Sequence, residues 1–122
     1  MNKKIMVVDD ECDICDFVKS FFQERGYEVF TALSGEDAII ISKREKPELV
    51  LLDIRMKGMD GIAALKHLKT IDRNQKIIMV TALEDQDKMD EACRLGACDY
   101  ITKPLMLDYL EHTVEKNMKV QL

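Results

Sequence analysis

Apolar positions along the chain fall into two alternating rhythms. Short runs rich in Val, Ile and Leu occur at Lys4–Asp9 (KIMVVD), Glu48–Asp53 (ELVLLD) and Lys76–Thr81 (KIIMVT). A strand with one wet face alternates apolar and polar residues, so continuous runs predict strands covered on both faces, as at the centre of a parallel sheet. Tyr27–Thr31 and Asp99–Thr102 are shorter and more polar, which predicts edge strands.

Between these runs, apolar residues recur at helical spacing. Ile14, Phe17, Val18 and Phe21 mark a first helix, closed by Gly26. Ala38, Ile39 and Ile41 mark a second, with Ser34 as its N-cap, Asp37 three residues on, and an end before Pro47. Ile62, Leu65 and Leu68 mark a third; Met89, Ala92 and Cys93 a fourth, closed by Gly96; and Leu107, Leu110, Val114 and Met118 a fifth. The order is (βα) repeated five times, with no repeat, low-complexity tract or linker, so residues 1–122 read as one domain. Short connections and right-handed crossovers favour an α/β fold with a doubly wound, open parallel sheet.

Composition narrows the setting. The 122 residues are 47% hydrophobic and 34% charged, as expected of one globular domain. The net charge of −5 supplies no basic stripe, which argues against direct nucleic-acid binding by this domain. No apolar run approaches the ~20 residues of a membrane span, and the start MNKKIMVVDDE is too short in its apolar part for a signal peptide. The expectation is a cytoplasmic protein with no membrane partner.

Ligands of such sheets sit beyond the carboxyl ends of the strands. Those ends offer Asp9, Asp10, Asp53, Thr81 and, just past the fifth strand, Lys103. Three gathered carboxylates need a proton or a cation. All-oxygen ligands suit Mg²⁺, which takes six oxygens at about 2.0–2.1 Å and keeps waters that a phosphate can replace; Mn²⁺ could substitute. A carboxylate beside the metal can attack phosphorus and form an aspartyl-phosphate. The lysine and the hydroxyl would hold phosphoryl oxygens.

The segments VVDDE, VLLDIRMKGMDGI, VTAL and GACDYITKPL, in this order and spacing, closely resemble the receiver domain of two-component response regulators, the CheY-like superfamily, over essentially the whole chain. The resemblance implies a flavodoxin-like sheet of strand order 2-1-3-4-5. It implies Asp53 as acceptor of a phosphoryl group from a sensor histidine kinase or a histidine phosphotransfer protein. Asp9, Asp10 and Asp53 would bind Mg²⁺ with the backbone carbonyl of Arg55. Lys103 would pair with phosphoryl oxygens, Thr81 would turn to the phosphate, and Tyr100 would change rotamer in step. Ala82 would leave access to Asp53, Lys103–Pro104 would be cis, and Arg55 and Leu83 would tune the lifetime of the phosphate. The surface of the fourth helix, fifth strand and fifth helix would change, and could form a homodimer. On this reading the chain is a phosphorylation-switched binding module rather than an enzyme. Lys57 departs from the pattern, standing where the family usually has proline; it restores an N–H donor and frees φ.

Other features have plainer readings. Cys12-x₂-Cys15 with Cys93-x₄-Cys98 resembles a zinc-ligand spacing, but the first and fourth helices belong on opposite faces of such a sheet. The expectation is that Cys12 and Cys15 are surface positions and that Cys93 is a small packing residue. His67 and His112 read as solvated helix positions, and Met6 and Met79 as core filler. A haloacid-dehalogenase-type phosphatase also starts from a strand-end aspartate. It wants a second Asp two residues on, where this chain has Arg55. A complete single-domain regulator and an N-terminal receiver of a longer protein remain two uses of the same domain; the last helix running to Lys119–Leu122 without a linker favours the former.

Overall fold

The computed structural model describes residues 3–118. Five strands, β1 (Lys4–Val8), β2 (Glu28–Ala32), β3 (Leu49–Asp53), β4 (Lys76–Thr81) and β5 (Asp99–Thr102), form one parallel sheet in the order β2-β1-β3-β4-β5. Five helices connect and cover them: α1 (Cys12–Gln23), α2 (Gly35–Glu45), α3 (Gly61–Ile71), α4 (Met89–Arg94) and α5 (Leu107–Met118). A 3-10 segment, Leu83–Lys88, leads into the six-residue α4.

The continuous runs are continuous because each strand feeds two cores. Met6 and Val8 of β1, Val50 and Leu52 of β3, and Ile77 and Met79 of β4 pack with Ala38, Leu65, Leu68, Met89 and Ala92 on one face. Ile5 and Val7, Leu49 and Leu51, and Ile78 and Val80 pack with Cys15, Val18, Phe22, Leu110 and Val114 on the other. Successive strand side chains point to opposite faces, so a sheet covered twice requires apolar residues at both parities.

The local signals account for most boundaries. Ser34 Oγ accepts from the Asp37 N–H at 3.1 Å and starts α2. Asp60 Oδ1 does the same for α3 through the Ala63 N–H at 2.9 Å. α4 stops ahead of Gly96, whose φ of 109° is open to glycine and costly for other residues. Four strand boundaries move by one residue, one of them the start of β3, at Leu49 rather than Glu48. β1 ends at Val8, leaving Asp9 in the loop, and β2 is Glu28–Ala32 because the Tyr27 N–H bonds back to Phe22 O and closes α1.

The buried stripe of α1 is turned relative to expectation. Cys15, Val18 and Phe22 form it, while Phe17 is 50% exposed. Cys15 is therefore core rather than surface, because it shares a helix face with Val18 and Phe22 at i+3 and i+7. Cys93 is exposed and its neighbour Ala92 does the packing. Met6 and Met79 are fully buried, and His67 and His112 are exposed. The segment from Lys119 to Leu122 lies outside the described residues. Among those described, no helix is long and apolar enough to cross a membrane.

Candidate functional site

The carboxyl ends of β1, β3, β4 and β5 open at one end of the sheet. The loop after β1 carries Asp9 and Asp10, β3 ends in Asp53, β4 ends in Thr81, and Lys103 follows β5. Parallel register brings the four ends together: Val8 pairs with Leu52, Asp53 with Val80, and Thr81 with Thr102.

Each of the three acids offers a carboxylate oxygen, and these oxygens lie within 4.8 Å of one another. Asp9 and Asp53 are buried, at 3% and 4% exposure; Asp10 is the most accessible. Lys103 Nζ stands 3.2 Å from Asp53 Oδ2 and 3.8 Å from Asp9 Oδ2. Backbone donors hold the carboxylates in place. Glu11 N–H donates to Asp9 Oδ1 at 2.9 Å, Arg55 N–H to Asp53 Oδ1 at 3.3 Å, and Lys57 N–H to Asp10 Oδ2 at 3.1 Å.

The electrostatics follow from three negative charges sharing one ammonium. Burial pushes Asp9 up to about 6, the Glu11 N–H opposes this, and the charge of Asp53 adds to it. Burial also raises Asp53, against the pull of Lys103. Burial alone would lower Lys103, but Asp53 and Asp9 outweigh it and hold the ammonium above its ordinary value. The oxygen donor set and the excess negative charge fit a hard divalent cation.

Around this centre, Thr81 is wholly buried and its hydroxyl donates to Ala82 O at 3.0 Å. The Lys103 N–H reaches Thr81 O at 2.7 Å, and Lys103–Pro104 is cis. Tyr100 is 41% exposed and Leu83 74% exposed, both outside the acid cluster. A cleft of about 400 Å³, walled by Asp10, Met56, Lys57, Asp60 and Lys88, opens beside the acids. A second cleft, of about 320 Å³, lies among Lys3, Lys46 and Lys76 at the opposite ends of the strands, remote from this chemistry.

Gly61 fixes how closely the loop after β3 folds back. A Cβ there would stand 2.3 Å from Asp53 O and 2.6 Å from Ile54 Cα, so only glycine fits. Its N–H donates to Ile54 O at 2.8 Å.

One pairing has no forerunner in the sequence pattern. Arg55 Nε and Nη2 donate to Asp85 Oδ2 and Oδ1 at 2.7 and 3.0 Å, with Lys88 Nζ 3.7 Å from Asp85 Oδ1. Asp85 is 2% exposed. In LEDQDK it is one of several acids in a polar stretch, and no periodicity singles it out.

Among the described residues, no cysteine thiol joins the carboxylate group. All four are free thiols, and α1 and α4 lie on opposite faces. Cys15 Sγ donates to Asp9 O at 3.3 Å; burial and then the charge of Asp9 push its thiol up to about 11, so it is an unreactive packing residue.

The family model for the response regulator receiver domain matches residues 5–115. Sporulation initiation phosphotransferase F of Bacillus subtilis is 39% identical over 121 residues, covering 99% of this chain and 98% of that protein. The transcriptional regulatory protein ZraR of Salmonella typhimurium is 40% identical over 112 residues; the match covers 92% of this chain but only 25% of that one. Among solved structures, the receiver domain of NtrX from Brucella abortus superposes with a TM-score of 0.89 at 33% identity, covering 96% of this chain and 99% of that one. With the strand order and nearly the whole of its length accounted for in this way, the chain belongs to the response regulator receiver domains, the aspartate-phosphorylated signalling domains of two-component systems.

Proposed function

We propose that this domain, filling residues 1–122, is switched by phosphorylation of Asp53 with Mg²⁺ held by Asp9, Asp10, Asp53 and the carbonyl of Arg55. The observation that carries the reading is Asp53 itself: a buried carboxylate at a strand end, 3.2 Å from one lysine and grouped with two further acids. The bound ion supplies charge neutralisation to the equatorial oxygens of the transferring group.

The chain's own residues do the rest. A carboxylate oxygen of Asp53 attacks the phosphorus of a phosphohistidine on a sensor kinase or a histidine phosphotransfer protein. An O–P bond forms, the P–N bond breaks, and the departing imidazole takes up a proton. Lys103 follows the new charge, moving its ammonium from the Asp53 carboxylate to a phosphoryl oxygen. Thr81 exchanges its bond to Ala82 O for a phosphoryl oxygen, and Ala82 leaves the approach open. With Thr81 drawn inward, Tyr100 changes rotamer and the α4-β5-α5 surface is reshaped for a partner or for a second copy. A phosphoryl group of about −1.5 to −2 charges suffices to reverse a balance of a few kcal/mol.

A haloacid-dehalogenase-type phosphatase finds no support, since Arg55 stands where its second aspartate would be and is engaged with Asp85.

The test is intact mass after incubation with Mg²⁺ and acetyl phosphate. One phosphoryl group on the parent, absent with EDTA and absent from Asp53→Asn, is the expected result. No gain, together with no binding of beryllofluoride, would overturn the reading.

A further inference from the structure

We propose that the backbone N–H of Lys57 positions Asp10 for a divalent cation, an inference that rests on the reading of the acid cluster as a Mg²⁺ site. Each of the three carboxylates takes one backbone N–H from this chain: Asp9 from Glu11, Asp53 from Arg55 and Asp10 from Lys57. The first two acids are also buried and within reach of Lys103. Asp10 is the accessible one, so its side chain has the most rotamer freedom to lose when it closes on an ion.

The Lys57 N–H, 3.1 Å from Asp10 Oδ2, removes part of that freedom before the ion arrives. Asp10 keeps lone pairs for a metal, since a carboxylate has about four acceptor sites. Proline at this position would have no such donor. The contact is therefore specific to a chain with a residue other than proline at 57, and it comes from the backbone, not from the ammonium.

That distinction sets the test. Binding of Mn²⁺ alone is measured from the electron-spin-resonance signal of the free ion, for the parent, Lys57→Ala and Lys57→Pro. Lys57→Ala keeps the N–H and should bind as tightly as the parent, or slightly more tightly for want of a neighbouring positive charge. Lys57→Pro should bind about tenfold more weakly, at the lower end for loss of an outer-shell bond because Asp10 is accessible. In an Asp10→Asn background, the difference between Ala and Pro at 57 should shrink to within about twofold.

Equal affinity of the Ala and Pro variants, or an unchanged difference in the Asp10→Asn background, overturns the inference while leaving the metal site intact. Failure of the parent to bind Mn²⁺ overturns the metal reading, and the inference with it. An independent readout covers a proline variant that does not fold: the amide proton of residue 57 in the parent and in Lys57→Ala should shift upfield when Asp10 becomes Asn. An unmoved resonance overturns the proposal.

Discussion

Arg55 and Asp85 join the loop after β3 to the 3-10 segment after β4 through two parallel bonds of 2.7 and 3.0 Å. Both segments border the acid cluster, and the guanidinium points to Asp85 with most of its side chain in solvent, while only its backbone faces Asp53. The hydrogen bond from Arg55 holds the Asp85 carboxyl below the usual carboxylate range, against the opposing effect of burial. The pair ties the loop after β3 to the segment that carries Leu83 and leads into α4, and under the proposed switch it would favour the unphosphorylated arrangement. Asp85→Asn should release this tie and raise the apparent affinity for beryllofluoride, on the order of fivefold. A fluorine NMR titration in Mg²⁺ measures it; an affinity equal to the parent's would show that the tie does not bias the switch.

The crowded acids should make the metal-free protein more stable in mild acid. Asp9 titrates at about 6 in the folded chain, against about 3.9 for an unfolded aspartate. Between those values the folded state binds more protons, so stability is fully present below the lower value and is lost as pH rises through the upper one. Asp53 is raised as well and acts in the same direction. The melting temperature in EDTA should therefore rise by a few degrees from pH 7.5 to pH 5. Excess Mg²⁺ should flatten or reverse the slope. Asp53→Asn should stabilise the metal-free protein at neutral pH by about 1 kcal/mol. A melting temperature that falls steadily from pH 7.5 to pH 5 would contradict this account.

Much of this was legible in the sequence, because strand runs and strand ends are local. KIMVVD, ELVLLD and KIIMVT announce strands covered on both faces, and each ends at or beside a residue of the site. The Ser34 cap was equally readable. The turn of the α1 stripe was not, since Cys15 and Phe17 are both apolar and only packing against β1 and α5 decides which is buried. The Arg55–Asp85 pair was invisible because it joins residues 30 positions apart, one in a loop and one in a short 3-10 segment, where no hydrophobic period singles either out.

The outer surface near β5 carries a further expectation. Tyr100 of β5, Met106 just before α5, and Leu107 and Tyr109 in its first turn are 41, 64, 37 and 53% exposed, large side chains left uncovered on the elements of the proposed switch. If phosphorylation reshapes this surface for a second copy, the beryllofluoride complex should elute as a dimer in size exclusion at concentrations where the untreated protein is a monomer. Tyr109→Glu should prevent this without affecting beryllofluoride uptake. A complex that remains monomeric would rule out a homodimer through this surface.

Gly61 ties stability and chemistry together at one atom. Its missing Cβ is what lets the start of α3 lie against the end of β3, with the Asp53 carbonyl where the added carbon would be. Alanine at 61 cannot be absorbed by a flexible side chain, because the clashing atoms are the backbone of Asp53 and Ile54. The loop must move, stretching the Gly61 N–H bond to Ile54 O and turning the Asp53 carboxylate relative to Lys103. Gly61→Ala should therefore cost about 2–3 kcal/mol in urea unfolding, as overpacking against a fixed backbone does. The folded fraction should also take up phosphate from acetyl phosphate more slowly than the parent. An alanine variant with parental stability and parental uptake would mean that the loop yields freely, and that the acid cluster is positioned by the sheet alone.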